Sequence, residues 1–175
     1  MAPYISIYVS LCLISMGINA QEKGHIPKAV CISQELKYDK KFLEYFGFAS
    51  EQSEMLMINS TQLIKTIFMD NSIVNEDINR TVFNVKNFAI CPFLNNRALY
   101  KLYSAFYDEF VGNSTVIKCP IKPGVYYLKN CIREVVVPSF HPSGNFRLNV
   151  HIRTEKEGSI VMKIIWRYRV MRTKN

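Results

Sequence analysis

The sequence lacks the short motifs that mark familiar catalysts. It has no Gly-x-Ser-x-Gly elbow, no His-Glu-x-x-His pair, no glycine-rich phosphate loop and no dinucleotide fingerprint. Nucleophilic hydrolysis, zinc hydrolysis and nucleotide-dependent chemistry therefore have no recognisable carrier. The acid pairs Glu76/Asp77 and Asp108/Glu109 do not replace one, because adjacent residues do not converge on a common point. Metal binding is equally poorly provided for. The cysteine spacings do not form paired C-x-x-C units, and His25, His141 and His151 are scattered. The expectation is a protein that is not an enzyme and holds neither cofactor nor metal.

Repeats, low-complexity tracts and linker-like stretches are also missing, which points to one domain. Only one apolar run is notable, from Ile5 to Met16, and it contains no charge. It is too short to cross a bilayer comfortably and is followed by the small residue Ala20. Residues 1–20 thus read as a secretory signal peptide, although no Lys or Arg precedes the run; an uncleaved anchor is the alternative. Residues 21–175 form the mature domain, with no transmembrane segment. Cys12 lies in the leader, leaving Cys31, Cys91, Cys119 and Cys131 in an oxidising compartment. These four cysteines suggest two bridges, with three pairings possible. The sequons at Asn59, Asn79 and Asn113 agree with secretion and mark expected glycosylation sites.

The chain is basic, at +8. That favours anionic partners such as lipid head groups, acidic sugars or acidic proteins, or serves solubility alone. Nucleic acid is a poor match for an extracellular chain.

The positive signals are those of a β-protein. Cys119-Pro-Ile-Lys-Pro-Gly-Val-Tyr-Tyr-Leu-Lys-Asn-Cys131 runs from a Pro-Gly turn into an aromatic strand between two cysteines. Further on, Phe146, Leu148, Val150 and Ile152 alternate with polar residues. Ile160, Met162, Ile164, Trp166, Tyr168 and Val170 do likewise, and the polar loop 154–158 separates the two runs. They read as an antiparallel hairpin, its register fixed by the apolar face. Arg147, Arg153, Lys163, Arg167 and Arg169 then share its other face.

Strands are also expected over 30–33, 54–58, 63–69, 125–128 and 134–137. A longer, central strand is expected over 81–91. Residues 37–52 form a sheet-edge cover or a helical turn. Residues 95–111 carry Leu99, Leu102, Tyr103, Phe106 and Phe110 at three- and four-residue steps and predict one amphipathic helix. Many close strands plus one helix fit an antiparallel sandwich.

Aromatic side chains are plentiful: 11 Phe, 10 Tyr and 1 Trp. They either fill a solid core or line a ligand cavity, and periodicity does not choose between the two. Alternation selects Phe83, Val85, Ala89, Tyr126, Leu128, Phe146, Leu148, Val150, Ile164 and Trp166 as candidate cavity-lining residues.

Over roughly residues 60–170 the chain resembles a large insect family of secreted proteins of unknown function that includes the CheB chemosensory proteins. The resemblance rests on the Cys-Pro-Phe-Leu ending of an aromatic strand (Phe88 to Leu94), the amphipathic helix, and Cys-Pro-x-x-Pro-Gly-x-Tyr-Tyr-Leu (Cys119 to Leu128). Pro-x-Gly-x-Phe-Arg-Leu (Pro142 to Leu148) and a terminal basic–aromatic strand complete it. That family is similar in turn to the ganglioside-activator type of lipid-recognition protein.

The resemblance implies a mainly β, immunoglobulin-like antiparallel sandwich with an apolar cavity and two disulfides, Cys91 with Cys119 and Cys31 with Cys131. One departure is that relatives commonly carry another cysteine soon after the first, whose place Cys131 takes here. It also implies a non-enzymatic extracellular protein that binds or presents a hydrophobic or lipid-like molecule, with a role in contact-pheromone detection. The alternative is a solid-core module that engages a membrane receptor or channel through its basic face.

Overall fold

The computed structural model describes residues 25–50, 55–96, 117–129, 134–137 and 140–174. They form nine strands and one short helix: β1 (His25–Tyr38), β2 (Leu43–Phe48), β3 (Met55–Ser60), β4 (Phe68–Asn75), β5 (Arg80–Ala89), α1 (Ile90–Asn95), β6 (Gly124–Lys129), β7 (Val135–Val136), β8 (Gly144–Arg153) and β9 (Met162–Lys174). A six-stranded sheet has the order β5-β4-β8-β9-β1-β7, and a three-stranded sheet has the order β2-β3-β6. Every pairing is antiparallel. The protein is thus mainly β, built from two antiparallel sheets.

The expected hairpin organises the larger sheet. Phe146, Leu148, Val150 and Ile152 of β8 lie opposite Tyr168, Trp166, Ile164 and Met162 of β9. Opposed residues of an antiparallel pair share a face, so the two apolar rows become one surface. Ile160 is not part of it: it sits before the strand and is 46% exposed, while Val161 is buried. Leu43, Phe46 and Leu56 of the smaller sheet pack with Ile164 and Trp166 of β9 to join the sheets. A second cluster of Ala29, Val137, Phe146 and Val170 closes one end.

The local sequence explains the turns. Asn75 Oδ1 accepts the backbone N–H groups of Asp77 (3.0 Å) and Ile78 (3.3 Å), nucleating the β4–β5 turn. Asn79 completes it at φ 49°, a left-handed conformation that Asn tolerates better than most residues. In α1, Pro92 falls in the first turn, where its missing N–H costs no helical bond. Phe93 and Leu94 anchor that turn by burial.

Several expectations are corrected. The strand predicted over 81–91 ends at Ala89, with Ile90 and Cys91 in α1, and it is an edge strand rather than a central one. The β-branched and aromatic content of β5 reflects its one covered face. Residues 30–33 lie within a fourteen-residue strand whose alternation is hidden by a bulge at Ile32, which is 56% exposed. Residues 63–67 form no strand apart from a bridge from Ile64 to Ile121. The strand begins instead at Phe68 and runs through Asp70, Asn71 and Asn75, residues of low β-propensity. Within residues 37–52, the Asp39 carbonyl accepts the N–H groups of Phe42 (3.1 Å) and Leu43 (3.2 Å) in a single turn, and β2 then follows at an edge of the smaller sheet.

Cys91 and Cys119 are bonded, as expected, with their Cα atoms 5.4 Å apart. Cys31 is disulfide-bonded as well; its expected partner Cys131 lies outside the described residues. So do the leader expected at 1–20, the sequon at Asn113 and the helix expected over 95–111, apart from Asn95 and Asn96.

Candidate functional site

The inner face of the larger sheet is read most clearly as rows running across the strands. One row is Phe83, Ile73, Leu148, Trp166 and Gln34; the next is Val85, Asn71, Val150, Ile164 and Leu36; a third is Phe88, Met69, Ile152, Met162 and Tyr38. No charged side chain occupies any of them. Burial is uneven across the rows. Trp166 and Ile164 on β9 are buried, whereas Ile73, Asn71 and Met69 on β4, Phe83, Val85 and Phe88 on β5, and Leu148 and Val150 on β8 are only half-buried. The uncharged face therefore retains accessible apolar surface on its β4–β5 side.

The sequence-selected lining residues are distributed over this arrangement. Phe83, Val85, Leu148, Val150, Ile164 and Trp166 fall within the rows. Phe146 lies one row further on, fully buried in the second cluster. Leu128 comes from β6 and packs on the joined core, while Tyr126, two residues earlier, donates its hydroxyl to the Lys122 carbonyl at 2.8 Å.

Ala89 stands apart. A bulge opposite Asp70 places Val85 across from Asn71 and Phe88 across from Met69, so Ala89 pairs with Phe68 on the other face. Asn87, at φ 55°, sits in that bulge. Strict alternation missed Phe88 for this reason. Gln34, Asn71 and Tyr38 escaped selection because two are polar and all three belong to strands whose extent was hidden.

At the end of the sandwich His141 is buried against Phe146, their rings edge-to-face at 4.6 Å. Its Nδ1 is 3.0 Å from the Pro142 carbonyl and its Nε2 is 3.1 Å from the Tyr168 hydroxyl. A carbonyl only accepts, so Nδ1 carries the proton and Nε2 accepts from Tyr168. Burial lowers the imidazole pKa, partly opposed by the Pro142 carbonyl, and pushes the Tyr168 phenol up. Through these ring contacts His141, Phe146 and Tyr168 pack together as one aromatic group.

The outer face carries the five basic residues picked out by alternation, but their charges are largely engaged. Arg153 donates to Asp70 at 2.6 Å and to Asn87 at 2.8 Å. Arg167 lies 3.3 Å from Glu76 and 3.5 Å from Glu35, Arg147 lies 3.9 Å from Glu76, and Arg169 donates to Asn145 at 2.9 Å. Lys163 lies across from His151. Burial lowers the His151 pKa, with Lys163 and Arg153 adding to the effect against Asp70. The acid pair Glu76/Asp77 is accounted for on the same side, Asp77 being tied to Asn145.

Of the sequons, Asn79 is exposed in its turn, while the Asn59 side-chain amide donates to Glu44. Among the described residues, no three His, Cys, Asp or Glu side chains group as a metal site, and no helix is long and apolar enough to cross a membrane.

Residues 64–148, a little under half of the chain, match a family described as "Protein of unknown function (DUF1091)". No curated protein matches the sequence. Among solved structures, a Niemann-Pick type C2 protein from the Japanese carpenter ant is similar at 13% identity and a TM-score of 0.34, with 83% of this chain and 93% of that chain covered.

Proposed function

We propose that this chain, from residue 21 onward, is a single-domain, non-enzymatic extracellular protein that carries or presents a small hydrophobic or lipid-like molecule against the inner face of its larger sheet. The observation that carries this reading is the uncharged, half-buried apolar surface formed by β4, β5 and β8. Apolar burial supplies affinity of about 0.8 kcal/mol per methylene, and a few polar groups set orientation. The candidate contacts are Phe83, Val85, Leu148, Val150, Ile164 and Trp166, with Tyr126, Leu128 and Phe146 further from the half-buried side. The resemblance to CheB-like proteins suggests a chemosensory setting, namely detection of contact pheromones.

The alternative of docking to a receptor or channel through the basic face gains little support. Asp70, Glu76, Glu35 and Asn145 already engage most of that face, and exposed ion pairs contribute little on their own. Protein purified without detergent from its own tissue, analysed by native mass spectrometry and solvent extraction, is expected to carry a bound apolar molecule. Protein that is folded but yields no ligand and takes up none of a series of apolar probes would overturn the reading.

A further inference from the structure

The second row across the inner face contains an anomaly. Asn71 is flanked by Val85 on one strand and Val150 on the other, with Met69 and Ile73 two residues away along its own strand. Its Oδ1 is shielded from solvent and accepts no hydrogen bond. In the neighbouring row Gln34, across from Trp166, has a shielded Nε2 that donates none. A buried amide atom without a partner is costly, whereas Val or Leu at the same position would cost nothing. These two neutral amides are set in rows that otherwise offer aliphatic and aromatic groups and the Tyr38 hydroxyl, with no Lys, Arg, Asp or Glu.

We infer that the ligand is a neutral oxygenated aliphatic molecule, such as a long-chain alcohol, whose oxygen bonds to Asn71. The inference rests on the carrier reading above and narrows its ligand class. A hydroxyl donates to the orphan Oδ1 and satisfies it; an n-alkane leaves it unpaired. An ionised fatty acid would bring a carboxylate into rows that hold no compensating cation, at a desolvation cost the site does not offset. Specificity then follows from the asymmetry of polar sites. A site built to hydrogen-bond a hydroxyl rejects the analogue lacking it far more strongly than an apolar slot rejects one extra methylene. Gln34, three strands and one row from Asn71 and so about 16 Å away at sheet spacing, supplies a second neutral amide for a ligand with another oxygen along its length.

The experiment uses delipidated full-length secreted protein and a fluorescent apolar probe, displaced in turn by 1-tetradecanol, n-tetradecane and tetradecanoate at pH 7.5. The alcohol is expected to bind about tenfold or more tighter than either the alkane or the carboxylate, from the cost of one unsatisfied buried group. In Asn71→Leu the alcohol-to-alkane ratio is expected to fall toward one, with alkane affinity held or improved. Should that variant fail to fold, the wild-type ratio decides by itself. Equal wild-type affinities for alcohol and alkane, or tightest binding of the carboxylate, overturn the ligand class while leaving the carrier reading intact. A ratio unchanged in folded Asn71→Leu removes Asn71 from the site. If the probe itself never binds, the carrier reading falls and this inference with it.

Discussion

Gly144 and the Asp77 carboxylate share a few ångströms at the mouth of the β4–β5 turn, and that closeness explains the glycine in Pro-x-Gly-x-Phe. Gly144 has φ +136°, and a Cβ there would lie 2.6 Å from Asp77 Oδ2. Asp77 holds the start of β8 by accepting the Asn145 N–H at 2.8 Å and the Asn145 side-chain amide at 2.7 Å, bonds that also lower its carboxyl pKa. Gly144→Ala should therefore lower the unfolding midpoint by several degrees, combining backbone strain with a displaced carboxylate. Calorimetry checks this. Two residues on, Phe146 is fully buried, stacked on Tyr168 at 5.6 Å and capped by His141. Phe146→Ala is expected to cost about 3–5 kcal/mol in denaturant unfolding.

The histidines set a pH dependence. His141 and His151 both have pKa values lowered from 6.5 in the folded protein. Below pH 6.5 the unfolded chain binds protons that the folded chain refuses. Stability is thus complete above that value and declines as pH falls toward the folded pKa values. A thermal midpoint that drops from pH 7.5 to 5, and drops less in the double variant His141→Gln/His151→Gln, is the expected result.

At the scale of elements, the disulfide and the bulges matter most. Cys91 is the second residue of α1, just after β5, and Cys119 lies two residues before Ile121, which exchanges backbone bonds of 2.8 Å with Ile64 in both directions. The bridge therefore fastens the end of an edge strand to the segment leading into the smaller sheet. It closes a loop with a sequence separation of 28, for which chain entropy gives about 3–4 kcal/mol. The double variant Cys91→Ser/Cys119→Ser should lose about that much, read from urea unfolding with the midpoint and the m-value both fitted, since releasing the loop expands the unfolded chain. The bulges at Ile32 and opposite Asp70 each shift the side-chain parity of a strand. An extra residue leaves no clear mark in composition, which is why Ala89 was selected where Phe88 belongs. The β8–β9 hairpin was legible because neither strand is bulged against the other and both alternate cleanly.

At the scale of the whole molecule, six strands face three among the described residues, and the apolar side chains of the larger sheet stay half-buried where β4 and β5 extend it. A ligand that binds only the folded state should raise stability with concentration, by about 2.7 kcal/mol at a hundred times its Kd. A thermal midpoint that climbs with added long-chain alcohol would register this, and a flat response would count against an interior site.

The amino-acid sequence by itself determined a cysteine-bearing β-protein with a basic, alternating C-terminal hairpin. Period-two hydrophobicity is a local property, and the order of Cys, Pro and Gly marks turns without reference to distant partners. Only the tertiary structure decided that β5 is an edge, that Phe88 rather than Ala89 faces inward, and that the Asn71 Oδ1 sits unpartnered between Val85 and Val150. Those facts depend on which strand lies beside which, and strand order is set by long-range pairing that no local pattern records.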